Sequence, residues 1–141
     1  MEKSGEKEFW WHFLKNDVLK QKYQRGEPLV TLDRNVKNKI FEIGEDYFKV
    51  ESEQGRKVRT ITQKRVKFVL CEVIKRGYFD SNVAKEYKEL RNFNDQSGET
   101  GAHTSIIRAL LVYLPFVEKE KRSRIIFLPD HYDEAKWGID C

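Results

Sequence analysis

The chain is poor in the residue types that most often advertise chemistry. Its 141 residues include two cysteines, three histidines, three prolines and one methionine. His12, His103 and His131 are scattered and, with two cysteines, make no zinc spacing, so neither a metal nor a cofactor is expected. No serine or cysteine stands in a recognisable nucleophile setting. No apolar run approaches the ~20 residues that span a bilayer, and the first residues, MEKSGEKEF, lack a signal-peptide apolar core. A cytoplasmic protein away from membranes is the expectation. The length suffices to bury a core without disulfides. Cys71 falls on an expected buried helix face, where a free thiol packs as a small hydrophobe, and Cys141 is the last residue. A reduced pair is the favoured reading, with a Cys71–Cys141 bond left open.

What the chain does have is charge, unevenly placed. Charged residues make up 35% and hydrophobic residues 39%, which fits one soluble domain with a busy surface. Residues 56–76 hold eight Lys and Arg against a single acid, Glu72, so this segment carries +7 while the whole chain is only +4. A merely solvated helix face would interleave acids to form i, i+4 pairs. A local basic surface most often meets a nucleic-acid backbone.

Apolar spacing predicts an amphipathic helix over 7–24, with Phe9, Trp10, Phe13, Leu14 and Val18 on one face. Trp10 and Trp11 read as core packing with one ring partly exposed, ahead of a base-stacking role. Residues 29–61 read as a small antiparallel β-meander, with a tight turn at Gly44-Glu45 and another at SEQG. From Thr62, a suitable N-cap, the period changes: Val66, Val69, Leu70, Val73 and Ile74 form a helical stripe that Gly77 ends. Ser81 starts a second helix running to about Arg91. NFNDQSGETGAH is a polar loop, in which the Gly98/Gly101 spacing reads as a surface loop rather than a phosphate-binding GxxG. A third helix follows over 103–114, stopped by Pro115. Strands FVE and RIIFL flank a basic tip, and 129–141 reads as an irregular acidic tail with Trp137 as its docking anchor.

The fold class expected is therefore α+β, a meander followed by a three-helix unit with a C-terminal hairpin. In element order, residues 62–128 resemble winged-helix DNA-binding modules, of the kind attached to prokaryotic restriction endonucleases and related defence proteins. The resemblance implies that the third helix enters a major groove and the hairpin touches phosphates. His103, Thr104, Ser105 and Arg108 would then be the reading positions, and Lys121, Arg122 and Arg124 the wing contacts. Arg56, Lys57, Arg59, Lys64, Arg65 and Lys67 of the basic segment would hold the backbone of double-stranded DNA. The loop between the second and third helices is long for a tight helix-turn-helix, which makes it a contact element in its own right.

Three alternatives stand beside this reading. RNA remains open as a partner, although it more often meets stacking aromatics on an open sheet, and Tyr47 and Phe48 alternate faces. The aromatic first helix and acidic tail suit a protein-docking or homodimer interface. A magnesium-dependent nuclease would need two acids and a lysine around the ion. Glu42, Glu45, Asp46 and Glu51 lie on or beside the hairpin with Lys49, but lysine precedes acid, the reverse of the acid-x-lysine order of restriction-type nucleases. These read as solubility charges, and the chain as a binder rather than an enzyme.

Overall fold

The first helix is built around a widened turn. The computed structural model describes residues 8–86, 100–122 and 124–141, with 100–103 as backbone alone. Helix α1 (Phe9–Phe13) runs into a π-helical segment (Leu14–Leu19) and then α2 (Lys20–Arg25). Trp10, Leu14 and Val18 are buried, and so are Trp11, Lys15 and Leu19. Both rows step by four, and on a 3.6-residue turn such a row drifts by roughly 40° per step. The wider turn cancels that drift and keeps both rows on the core. Neither tryptophan ring is exposed, contrary to the expectation for one of them. The rows Trp11 and Lys15 meet the next element directly, since Trp11 Nε1 and Lys15 Nζ both donate to the Glu45 carbonyl, at 2.8 and 3.3 Å.

The meander forms a four-stranded antiparallel sheet in sequential order, from β1 (Leu29–Val30), β2 (Lys37–Ile43), β3 (Tyr47–Ser52) and β4 (Val58–Thr62). In β3 the alternation is clean: Phe48, Val50 and Ser52 face inward, and Tyr47, Lys49 and Glu51 take the other face. In β2 it is not, because the register shifts between Ile40 and Glu42 and leaves Phe41 half exposed; a bulge puts two residues opposite one. A Cβ on Gly44 would run into the Tyr47 ring, so a side chain there would have to displace that ring.

Helix α3 (Gln63–Arg76) follows β4 without a linker. Thr62 Oγ1 accepts from the Arg65 N–H at 3.3 Å, and Gly77, at φ +93°, ends the helix. Its stripe of Val66, Val69, Leu70 and Val73 is buried. A short strand absent from the sequence reading, β5 (Tyr78–Phe79), precedes α4 (Ser81–Glu86). Helix α5 (Thr100–Leu111) begins three residues before the expected start, so Gly101 lies in the helix, and it ends three residues early. The remainder of the polar loop lies outside the described residues. Strands β6 (Val117–Lys121) and β7 (Arg124–Phe127) form the hairpin, and β7 also pairs with β5, giving a second sheet in the order β5-β7-β6.

The last residues are tied down rather than irregular. A 3-10 turn (Pro129–His131) leads to α6 (Glu134–Trp137), which Asp133 caps by accepting from the Ala135 N–H. Trp137 is buried against Phe9, Phe13 and Phe116, with ring centroids 5.1, 5.5 and 5.3 Å away. That anchor brings Cys141 to Cys71, their Cα atoms 5.6 Å apart, and the two are joined as a disulfide. The expectation of reduced thiols is corrected: Cys71 lies at the edge of the core, half-buried, within bonding range of the docked tail. Residues from both sheets and all the longer helices share one apolar core. Among the described residues no helix is long and apolar enough to cross a membrane.

Candidate functional site

The basic segment does not fold into one patch. Arg56 and Lys57 are exposed at the β3–β4 turn, and Arg59 is half-buried on β4. Lys64 and Lys75 are exposed on α3, on a line that also contains Cys71. The C-terminal segment crosses that line through the disulfide, carrying Asp140 with it. Lys67 is occupied: its Nζ lies 3.2 Å from Glu8, which also accepts from Gln63 Nε2 at 3.0 Å. Arg76 faces Glu72 and Glu86 at 4.0 and 3.6 Å. Arg65, expected to touch DNA, is 0% exposed. It sits four residues before Val69 and eight before Val73, on the buried side of α3.

The expected reading helix is also turned inward. In α5, Thr104 is 0% and Arg108 3% exposed, while Ile106, Ile107, Ala109, Leu110 and Leu111 are buried as well. Arg108 Nε donates to the Thr104 carbonyl at 3.1 Å. Helix α5 is packed on by α4, β1, α3 and β4, which together bury most of its side chains. Ser105 remains half-buried at the edge, and the His103 side chain lies outside the described residues. Of the wing residues, Lys121 and Arg122 are exposed. Arg124 is held by Asp80, to which its Nε and a terminal nitrogen each donate at 3.1 Å, and it stacks over Tyr78.

Where β1 and its following loop approach α5 they leave a cleft of about 430 Å³. Three of the sequence-selected residues meet there, Arg59 from β4 with Ser105 and Arg108 from α5, and Arg34 joins them from the β1–β2 loop. The loop is a fixed wall. Thr31 and Val36 bond each other twice, at 3.0 Å, and Asn38 Nδ2 donates to the Leu29 and Val36 carbonyls. Lys119 Nζ donates to the Leu32 carbonyl at 3.1 Å, which sets the β6–β7 hairpin against the rim. Ser52 and Gln54 close the side nearest the β3–β4 turn. The lining carries three arginines against one acid, Asp33. Burial pulls the Arg108 guanidinium down to about 10, with the charges of Asp80 and Asp33 opposing that pull, so it stays a cation at neutral pH. A second cleft, of about 510 Å³, balances Lys22, Lys37, Lys39 and Arg56 with Glu27, Glu51 and Glu53 and so has little field of its own.

The meander acids engage one another's neighbours. Glu42 accepts from the Tyr47 hydroxyl and faces Lys49, its cross-strand partner, at 3.9 Å. That hydrogen bond, with some desolvation and the charges of Glu42 and Asp46, raises the Tyr47 phenol. Among the described residues no three His, Cys, Asp or Glu side chains gather where a metal ion could sit.

Arg34 was missed from sequence because the motif around it, LDRNV, reads only as a turn; its partners are 25 and 74 positions away. The chain matches no protein-family model, no curated protein and no solved structure.

Proposed function

We propose that this chain is a DNA-binding module of winged-helix type that holds the phosphate backbone of a duplex through its two hairpin tips. One observation carries the reading. Arg56, at the β3–β4 turn, and Arg122, at the β6–β7 turn, both adopt left-handed backbone, with φ +53° and +50°. Such turns usually hold Gly, Asn or Asp, and left-handed geometry costs an ordinary L residue about 1–2 kcal/mol. An arginine held there twice, each time beside an exposed lysine (Lys57 and Lys121), points to a use for the charge. The order of α3, α4 and α5 followed by the β6–β7 hairpin supports the winged-helix likeness. With α5 covered, the contact falls on phosphates rather than base edges, so little sequence selectivity is expected.

Duplex binding across a salt series tests this. Four engaged cations give a slope of log K on log salt of about −3 to −4. The double variant Arg56→Gly, Arg122→Gly should reduce the slope by about 2 while thermal stability holds or rises. Single-stranded DNA and RNA run alongside separate the partner classes. Wild-type binding by the glycine variant, or a slope near zero, sinks the proposal.

A further inference from the structure

We infer that the cleft between the β1–β2 loop and α5 is a binding pocket for a phosphorylated nucleoside, either free or at the end of a strand. The arginines supply the phosphate end. Arg34, Arg59 and Arg108 reach it from three separate elements, and guanidinium forks suit phosphate oxygens better than a point charge does. The space exceeds what an inorganic ion needs. A water occupies ~30 Å³, so phosphate takes on the order of 100 Å³, against a cleft of about 430 Å³ that falls in the range of ~300–1,000 Å³ typical of small-molecule sites. The remaining wall is of mixed chemistry. Leu32, Val36 and Ile106 offer apolar surface for a base, and Gln54 and Ser105 offer donors and acceptors for its edge or for a sugar. The site is pre-built, because the loop bonds that fix Thr31, Val36 and Asn38 are internal to the protein. Gln54 belongs to the β3–β4 turn, but neither tip arginine, Arg56 nor Arg122, lines the cleft, so this inference and the proposed duplex contact are tested by separate variants.

Calorimetry on the whole protein decides it, with a nucleoside 5′-monophosphate, the matching nucleoside and inorganic phosphate as probes. The monophosphate should bind at least tenfold more tightly than either of the others. Arg34→Ala, on the exposed loop, and Arg59→Gln should each weaken it tenfold or more. Arg56→Gly, Arg122→Gly should leave it unchanged. Oligonucleotides with and without a 5′-phosphate assign the source: a preference for the phosphorylated end identifies strand termini, and its absence beside tight monophosphate binding identifies a free nucleotide. Equal affinity for phosphate and nucleotide would overturn the inference, as would no saturable nucleotide binding or full binding by Arg34→Ala that is shown by circular dichroism to be folded.

Discussion

Asp80 shows how one side chain can tie two elements together. It accepts from the N–H groups of Asn82 and Val83 at the start of α4, both at 3.0 Å, and from Arg124 on β7. Burial alone would raise its carboxyl, but the Val83 bond, the Arg124 bond and charge, and the Asn82 bond outweigh it, and the carboxyl sits below its ordinary range. A group depressed on folding adds stability above its unfolded pKa of ~3.9, and that stability is lost as pH falls through the lower folded value. Asp80→Asn should therefore be destabilising at pH 7 by up to about 1 kcal/mol, chiefly from loss of the half-exposed ion pair, since asparagine caps a helix about as well as aspartate. The difference should shrink towards zero as pH drops below about 4. Urea midpoints at pH 7, 4 and 3 check this, and a pH-independent difference would refute it. At this scale the sequence was partly legible. The stripe from Val66 to Val73 was plain, and the same period already places Arg65 beside it. Charge outweighed phase in the reading of Arg65 and Arg108, although a long cationic side chain can be buried when the fold gives it partners.

At the scale of elements, local signals survived best where turn chemistry was strong. The Gly44 turn, the Thr62 cap and the Gly77 stop all stand. β1 falls inside the meander expected over 29–61, whereas the two-residue strand β5 carries almost no local pattern, and tertiary pairing alone defines it. β1 matters to the site because it packs on α5 and leads into the loop, from Thr31 to Val36, that makes one wall of the cleft. The π-helical segment was hidden for a different reason: its apolar residues lie close enough to ordinary helical spacing to pass as a plain α-helix. Deleting the exposed Asn16 tests its role. Trp10 and Val18 would then be seven apart instead of eight, and an ordinary helix brings them back within roughly 20° of one face. The deletion should fold cooperatively and lose about 1–2 kcal/mol, a few degrees in Tm, chiefly from the displaced Lys15. Failure to fold would mean that the wide turn itself is indispensable.

Over the whole molecule the meander and the helical unit share one core, so the cleft between them is a fixed seam within a single body. The disulfide reinforces that body by joining residues 70 positions apart. Loop-closure entropy puts its contribution at about 4 kcal/mol. Reduction, or Cys141→Ser, should lower the urea midpoint accordingly while the cleft still binds, since Trp137 packing and the Ile139 N–H bond to the Tyr132 hydroxyl still hold the tail; an unchanged midpoint under dithiothreitol would show that the bond adds nothing. The bond has a topological consequence as well. From Cys71 to Cys141 the backbone is a closed covalent ring. A protease that cuts one peptide bond anywhere within it, including between α4 and α5, opens the ring without dividing the molecule. Such a nicked protein migrates as one chain until it is reduced, whereas a cut before Cys71 releases a fragment at once.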